Sequence, residues 1–177
     1  MSETFARRRY LLNFDSRRLG QVFTDVLVIG GGVGGLRAAI AAGEDSHVVL
    51  VTKDRLEECN TAYAQGGIAV VSDPSDSFAA HVRDTIAVGC GICHPSLVED
   101  MAREAPSCLK ELVEWGANFD LENGAVALGR EGGHSKRRIV HASGDATGKE
   151  LSRALAGRAR SSDNIRIFES CFVVDLV

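Results

Sequence analysis

The chain has 177 residues, of which 45% are apolar and 25% charged, and its formal net charge is −4. This length can bury one domain core, and the acidic balance disfavours a nucleic-acid-binding surface. No apolar run is long enough for a membrane helix, and five cysteines, an odd number, disfavour a secreted disulfide framework.

The arginine-rich N-terminus, residues 1–23, is predicted to be an arm that precedes a domain covering residues 24–177. It contains Glu3 and Asp15 and no apolar core segment, so it lacks the pattern of a secretory signal. A cytoplasmic protein is therefore expected.

Residues 25–53 have the pattern of a strand, a turn, a helix and a second strand. The β-branched runs at 25–30 and 47–53 are typical of buried strands, and the alanine-rich run at 36–43 of a helix that ends at Gly43. The spacing predicts a parallel, right-handed crossover unit and hence an α/β, Rossmann-like fold.

The turn of this unit carries the pattern G-x-G-x-x-G, formed by Gly30, Gly32 and Gly35. In this position the glycines permit a tight turn, close approach of a pyrophosphate and helix–strand packing, and the helix N-terminus adds partial positive charge. A ligand-free turn is the alternative. The second strand ends at Lys53 without the acidic residue that binds a ribose in nicotinamide-dependent dehydrogenases, which weakens that interpretation.

Two helices are predicted next, over 77–89 and 96–116. Ser96 and Glu99 have the spacing of a capping box, and Pro106 is expected to kink or split the second helix. Apolar residues recur every four positions of that helix and predict a buried stripe. This stripe consists of Leu97, Met101, Ala105, Leu109 and Val113.

Near the C-terminus, a helix over 147–160 is predicted to begin with a second capping box, formed by Thr147 and Glu150. Residues 164–177 have the pattern of one or two strands, and the sequence ends within an apolar run. Because a domain rarely ends on an exposed edge, the chain is expected to be an incomplete N-terminal portion of a larger protein.

Cys90 and Cys93 form a C-x-x-C pattern just before the second of these helices. A redox pair or half of a metal site is possible in principle, but no second C-x-x-C or histidine pair completes a tetrahedral set. Reduced thiols near a helix start, with no metal, are the preferred interpretation.

Longer motifs carry a family resemblance: "DVLVIGGGVGGLRAAI", "VTK", "NTAYAQGGIAVV" and "REGGHSKRRIVHASGDATG", in this order. They resemble the N-terminal part of the L-aspartate oxidases, within the succinate dehydrogenase/fumarate reductase flavoprotein family. The resemblance runs from about Tyr10 to the last residue. It implies an FAD-binding domain of which this chain holds the N-terminal part, while the capping and C-terminal helical domains of the family are absent.

The resemblance implies that the glycine loop holds the FAD pyrophosphate and that Lys53 contacts the cofactor. Residues 60–67 would follow the ribityl chain and the isoalloxazine, and backbone at 172–173 would meet the adenine end. The cofactor-binding residues implied in this way are Gly30, Gly31, Gly32, Val33, Gly34, Gly35, Lys53, Asn60, Thr61, Ala62, Tyr63, Ala64, Gln65, Gly66, Gly67, Phe172 and Val173.

Asn60 separates this sequence from the family's succinate dehydrogenases. Those enzymes carry a histidine bonded covalently to FAD at the corresponding position, and asparagine cannot form that bond. The resemblance therefore implies non-covalent FAD, which suits an amino-acid oxidase better than a succinate dehydrogenase.

The charged segment 130–138 could be a solvated loop on composition alone. By resemblance, Glu131 faces the substrate amino group, and Gln65 and His134 are further candidates for the catalytic site. His141 is interpreted as structural, because no nucleophile or metal set accompanies it. No metal is expected.

The implied reaction is oxidation of L-aspartate to iminoaspartate with reduction of FAD, which oxygen or fumarate reoxidises. Iminoaspartate would pass to quinolinate synthase on the route to NAD. Activity of the 177 residues alone is not expected, because in the family further substrate-binding and flavin-binding elements follow the region that these residues match. Three alternatives stay open: a fumarate reductase or succinate dehydrogenase flavoprotein, a non-catalytic FAD-binding remnant, and a nicotinamide-binding Rossmann domain.

Overall fold

The computed structural model describes residues 18–176, so most of the predicted arm over 1–23 lies outside the described residues. The helices within this range are α1 (Val33–Ala42), α2 (Phe78–Val88), α3 (Pro95–Glu114) and α4 (Thr147–Arg160). The strands are β1 (Val26–Ile29), β2 (Val48–Val51), β3 (Ile68–Ala69), β4 (Leu121–Glu122), β5 (Ala125–Val126), β6 (Leu128–Gly129), β7 (Ile139–Val140) and β8 (Ile165–Phe168).

The glycine loop lies at the end of a three-stranded parallel sheet with the order β1-β2-β8. The predicted strand–helix–strand unit is confirmed, with Val26 opposite Val48 and Val48 opposite Ile165. β2 is buried along its whole length because it is the central strand. The prediction that β1 is a buried strand is wrong, because Leu27 is 50% exposed. Exposure alternates along this edge strand, because α1 packs against only one of its faces.

The first core lies between the parallel sheet and the helices α1 and α4. Leu36 and Leu155 meet there against Leu50 of the central strand, and each is at most 1% exposed. The predicted end of α1 at Gly43 is confirmed, but its φ of −69° is an ordinary right-handed value. A Cβ atom at this position would lie 2.9 Å from Cγ1 of Ile165, so close packing against β8 accounts for the glycine.

A second, antiparallel sheet with the order β3-β7-β6 lies over another core. Val70 and Val140 are fully buried in it, together with the half-buried Leu109 of α3. These two-residue strands carry too short a pattern for sequence-based prediction. Of the one or two strands expected at the C-terminus, one forms in the described residues, and it ends at Phe168.

The starts of two helices differ from the sequence prediction. α3 begins at Pro95 with His94 as its N-cap, so Ser96 lies inside the helix and does not cap it. α4 has Ala146 as its N-cap, and the Thr147 hydroxyl accepts a hydrogen bond from the backbone of a preceding loop instead. Both capping-box predictions are therefore wrong. Proline suits the first helical turn because its missing N–H has no partner there.

The face that α3 buries also differs from the prediction. Val98 and Ala102 are its buried residues, whereas Leu97 and Met101 are 63% and 50% exposed. In the first half of the helix the buried face thus lies one residue further along than the predicted stripe, whereas Ala105 and Leu109 of that stripe do pack against the second core. Pro106 is expected to kink or split the helix; a split is wrong, because the helix continues from residue 95 to residue 114.

Candidate functional site

The glycine loop adopts the conformation that its motif demands. Gly30 has a φ of +110°, which disfavours any residue with a side chain. A Cβ atom on Gly35 would overlap the carbonyl oxygen of Gly30, so this third glycine allows α1 to pack on the turn. A Cβ atom on Gly31 would lie 2.7 Å from Leu56 Cδ2. The first-turn N–H groups of α1 have no partner within the helix and form a ready site for an anion.

Thr61 joins the glycine loop to the segment 59–67. Its Oγ1 accepts a hydrogen bond of 3.0 Å from the backbone N–H of Val33, at the first residue of α1. A Cβ atom on Gly32 would lie 3.5 Å from the same hydroxyl oxygen. Two stretches that are 28 residues apart in sequence thus form one continuous wall.

These stretches border an open cavity of about 440 Å³ at the carboxyl end of the parallel sheet. Seven of the residues predicted to bind the cofactor line it: Gly30, Gly31, Lys53, Asn60, Tyr63, Phe172 and Val173. The carboxyl ends of parallel strands are the usual ligand position in open α/β sheets. Its lining also includes residues that the sequence did not single out, among them Thr52, Glu58 and Cys171.

Hydrogen bonds to the end of β2 hold the C-terminal segment against this cavity. The N–H of Cys171 donates to the Thr52 carbonyl at 2.9 Å, and the N–H of Ser170 donates to the Asp54 carbonyl at 3.4 Å. The Leu56 N–H donates to Glu169 Oε1 at 2.8 Å. Phe172 and Val173 are thereby placed opposite the glycine loop.

The residues present fit a flavin dinucleotide. The cavity combines side-chain-free backbone at Gly30 and Gly31, a cation at Lys53 and apolar surface from Ile29 and Phe172. A dinucleotide needs all three, because its phosphates are anionic and its ring systems are flat and largely apolar. Any side chain at position 31 would displace the buried Leu56, so packing keeps this stretch of the lining free of a side chain.

Within the segment 59–67, Tyr63 borders the cavity and Gln65 does not. The Tyr63 hydroxyl lines the cavity and donates to Glu58 Oε2 at 2.5 Å, and this bond raises the pKa of Tyr63 above its ordinary value. Gln65 is exposed and does not border the cavity. Gly67 packs against β7, since a Cβ atom there would collide with Ile139 Cγ2 and the Val140 carbonyl.

The carboxylate of Glu131 lies beside the same segment. Both of its carboxylate oxygens would lie 3.6 and 3.7 Å from a Cβ atom placed on Gly66, which has a φ of +83°. Glu131 Oε1 is 2.8 Å from Nε2 of His141, at the end of β7. The structure therefore brings Glu131 and residues 66–67 together and adds His141 to them.

His134 points elsewhere, into a buried ionic cluster around Arg138. Its Nδ1 is 3.3 Å from Nη1 of Arg138, which is fully buried and donates to Asp76 at 2.8 Å through two nitrogens and to Asp84 at 2.6 Å. His81, also buried, lies with its ring centroid 5.8 Å from that of His134. The His134 ring thus belongs to this cluster, although the His134 N–H donates to the Glu131 carbonyl at 3.3 Å.

Hydrogen bonding sets the charges of this cluster. The bond from Arg138 lowers the pKa of Asp76, although burial opposes the effect. Burial favours the neutral form of Asp84, but hydrogen bonds from Ser135 and Arg138 outweigh it and hold its pKa far below the usual range. Burial also lowers the pKa of His81, and the positive charge of Arg138 adds to this. The result is one buried cation between two ionised carboxylates and a neutral histidine.

Neither aspartate of this cluster was predicted from the sequence to have a role. Arg138 directly precedes the apolar pair of β7, which is a sign that it is buried, and a buried arginine requires acidic partners. Cys90 is exposed and Cys93 half-buried, and both are free thiols. Residues 18–176 contain no group of three or more metal-ligating side chains placed to hold an ion.

Comparison with known proteins places these features in context. A family described as FAD binding domain matches residues 25–177. The chain is 45% identical over 156 residues to the chloroplastic L-aspartate oxidase of Oryza sativa subsp. japonica, covering 88% of this chain and 24% of the relative. It is 45% identical over 159 residues to the L-aspartate oxidase of Yersinia pestis, covering 87% and 30%.

Among solved structures, the quinol fumarate reductase FrdA of E. coli, in a point-mutated form, superposes with a TM-score of 0.81. Its sequence identity is 31%, and the match covers 85% of this chain and 26% of that one. The chain thus spans 24–30% of the length of these curated relatives. Within residues 18–176, no helix combines the length and apolar character that crossing a bilayer requires.

Proposed function

The chain belongs to the FAD binding domain family, and from this premise we propose that the protein carrying it is an L-aspartate oxidase with non-covalent FAD. The match confirms the fold class, the flavoprotein resemblance and FAD as the expected cofactor. Because the chain spans less than a third of its curated relatives, the activity is proposed for the protein as a whole.

The observation that carries the proposal is the position of Glu131. Its carboxylate lies over Gly66, beside the segment 59–67 that borders the cavity through Asn60 and Tyr63. An amino-acid substrate presents an ammonium group that a fixed carboxylate can bind, whereas a dicarboxylate without an amine would meet like charge there. This arrangement therefore favours L-aspartate over succinate.

The residues of this chain have separate tasks in the proposal. The glycine loop and Lys53 bind the phosphates, and the asparagine at position 60 leaves the cofactor free of a covalent bond. Glu131 orients the amino group so that the Cα–H bond faces the flavin ring. FAD, when bound, supplies the acceptor for the two electrons that leave the substrate.

The proposed partners follow from this chemistry. L-Aspartate is the substrate, iminoaspartate the product, and oxygen or fumarate the final electron acceptor. Delivery of iminoaspartate to quinolinate synthase and a cytoplasmic location are also proposed, on the sequence alone. The printed name of the rice relative assigns that protein to the chloroplast.

A fumarate reductase function is the second candidate, because the fold superposes well on a quinol fumarate reductase. Asn60 and Glu131 argue against it. The higher identity to L-aspartate oxidases, 45% against 31%, points the same way.

A steady-state assay of the FAD-loaded protein tests the proposal. L-Aspartate should drive oxygen consumption or fumarate reduction, with release of ammonium after the imine hydrolyses. Succinate should drive neither. Activity with succinate alone would replace the proposal with the second candidate, and a protein that binds FAD but oxidises neither compound would be a non-catalytic remnant.

A further inference from the structure

His141 occupies a slot between two glycines of the antiparallel sheet. A Cβ atom on Gly129 would lie 2.9 Å from Cε1 of its imidazole, and one on Gly67 would lie 3.0 Å from Nε2. Any side chain at position 129 would therefore displace the ring. The backbone of His141 is fixed too, because its carbonyl accepts a hydrogen bond of 2.8 Å from the Asp120 N–H.

The slot aims Nε2 of His141 at Glu131. The separation between Nε2 and Oε1 is 2.8 Å, and the two side chains are 24% and 46% exposed. The Glu131 carbonyl accepts a hydrogen bond of 3.3 Å from the His134 N–H, but within residues 18–176 His141 is the one hydrogen-bond partner of its carboxylate. Within residues 18–176, Oε2 accepts no hydrogen bond from the protein and stays available to a ligand.

We propose that His141 is a positioning residue that fixes Glu131 and thereby makes the site specific for a dicarboxylate bearing an amine. This inference rests on the proposed function and deepens it. Nε2–H donates to Oε1, and Oε2 is left to receive the substrate ammonium group. The imidazole itself does not touch the substrate.

Specificity for aspartate over succinate follows because the hydrogen bond from His141 prevents the Glu131 carboxylate from rotating out of the site. Succinate would place no cation against Glu131, and the fixed negative charge would oppose its carboxylates. If His141 were lost, Glu131 could rotate towards solvent. Aspartate would then lose part of its binding, whereas succinate would lose nothing and could gain.

The test compares His141→Leu with His141→Gln in the FAD-loaded protein, by anaerobic flavin reduction at varied L-aspartate. Leucine removes the hydrogen-bond donor but keeps a side chain of similar volume. In His141→Leu we expect the half-saturating aspartate concentration to rise about tenfold, which corresponds to about 1.4 kcal/mol. The maximal rate of flavin reduction should fall by less. The glutamine amide N–H can reach the same oxygen, so His141→Gln should recover most of this affinity.

Two further readouts separate positioning from a merely structural role. In a Glu131→Gln background, His141→Leu should add less than about a twofold effect, because a residue that acts through Glu131 cannot act without it. Succinate affinity, measured from the perturbation of the flavin absorbance band, should fall less than about twofold in His141→Leu. A structural defect would weaken aspartate and succinate alike.

Each result decides the inference. Unchanged aspartate affinity in His141→Leu, equal loss of both ligands, or full additivity with Glu131→Gln overturns it and leaves the proposed function standing. If His141→Leu fails to fold, His141→Gln decides alone: histidine-like aspartate affinity supports the inference, and a tenfold loss overturns it. A wild-type flavin that L-aspartate does not reduce overturns the proposed function, and the inference with it.

Discussion

The backbone N–H of Val33 donates a hydrogen bond of 3.0 Å to the Thr61 hydroxyl and so joins the glycine loop to the segment 59–67. Thr61→Val would keep the shape but leave the first N–H of α1 without this acceptor. One such bond contributes about 1 kcal/mol, so we expect FAD to bind about fivefold more weakly in this variant. Thr61→Ser should match the wild type. Fluorescence titration of the apoprotein with FAD measures the difference, and equal affinities in Val and Ser variants would contradict it.

The glycines at 32 and 35 are expected to have different roles. Gly35→Ala should prevent folding, because its Cβ atom would overlap the Gly30 carbonyl oxygen. The added Cβ atom of Gly32→Ala would lie 3.5 Å from Thr61 Oγ1, an ordinary contact, so this variant should fold normally. Its affinity for FAD should fall about tenfold or more, because the methyl group obstructs the pyrophosphate. Gly157→Ala, in open space on α4, is the control. Circular dichroism and FAD titration give both readouts, and a well-folded Gly35→Ala protein would refute the packing role.

Arg138 should be among the most costly polar residues to remove. Arg138→Met leaves the ionised Asp76, whose side chain is 1% exposed, without its cation, and breaking such a buried pair costs about 3–5 kcal/mol. Arg137→Met is the matched control, because Arg137 is exposed and a surface substitution changes stability by about 0.5 kcal/mol. Urea denaturation measures both. Similar losses in the two variants would show that the buried ionic cluster is not a stability determinant.

Acid should destabilise the fold in two steps. Folding lowers the pKa of His81, so below about pH 6.5 this histidine is protonated in the unfolded state and neutral in the folded state. The free energy of unfolding therefore falls as pH decreases, by at most about 1.4 kcal/mol per pH unit for one proton. The lowered pKa values of Asp76 and Asp84 give stability that is present above about pH 4 and is lost at lower pH, as their folded-state pKa values are crossed.

The variant His81→Gln isolates the first step. It should flatten the dependence of the unfolding free energy on pH between about 6.5 and 5, while the loss at lower pH remains. Chemical denaturation at a series of pH values measures this slope. An unchanged slope in the variant would assign the first step to another group.

The parallel sheet and its glycine loop could be predicted from sequence because their signals are local. Two short β-branched runs, a glycine motif and an alanine-rich helix leave few other folds. The buried face of α3 could not be predicted, because Val98 and Leu97 are both apolar and tertiary packing chooses between them. Two-residue strands such as β6 and β7 carry no sequence pattern of their own, because their pairing depends on tertiary contacts.

The two histidines of the second motif illustrate the same limit at the site. His134 stands in the segment 130–138 with Glu131, yet its ring faces Arg138. His141 lies ten residues beyond Glu131 and bonds to it, because β6 and β7 pair and bring the loop back on itself. Closeness in sequence therefore does not reveal which imidazole reaches the Glu131 carboxylate, because strand pairing determines it.

Anaerobic mixing of the FAD-loaded protein with L-aspartate or with succinate tests the site most directly. L-Aspartate should bleach the flavin absorbance band, succinate should not, and Glu131→Gln should bind FAD normally while losing most of the response to aspartate. Bleaching by succinate with none by L-aspartate would contradict the assignment of Glu131 to an amino group.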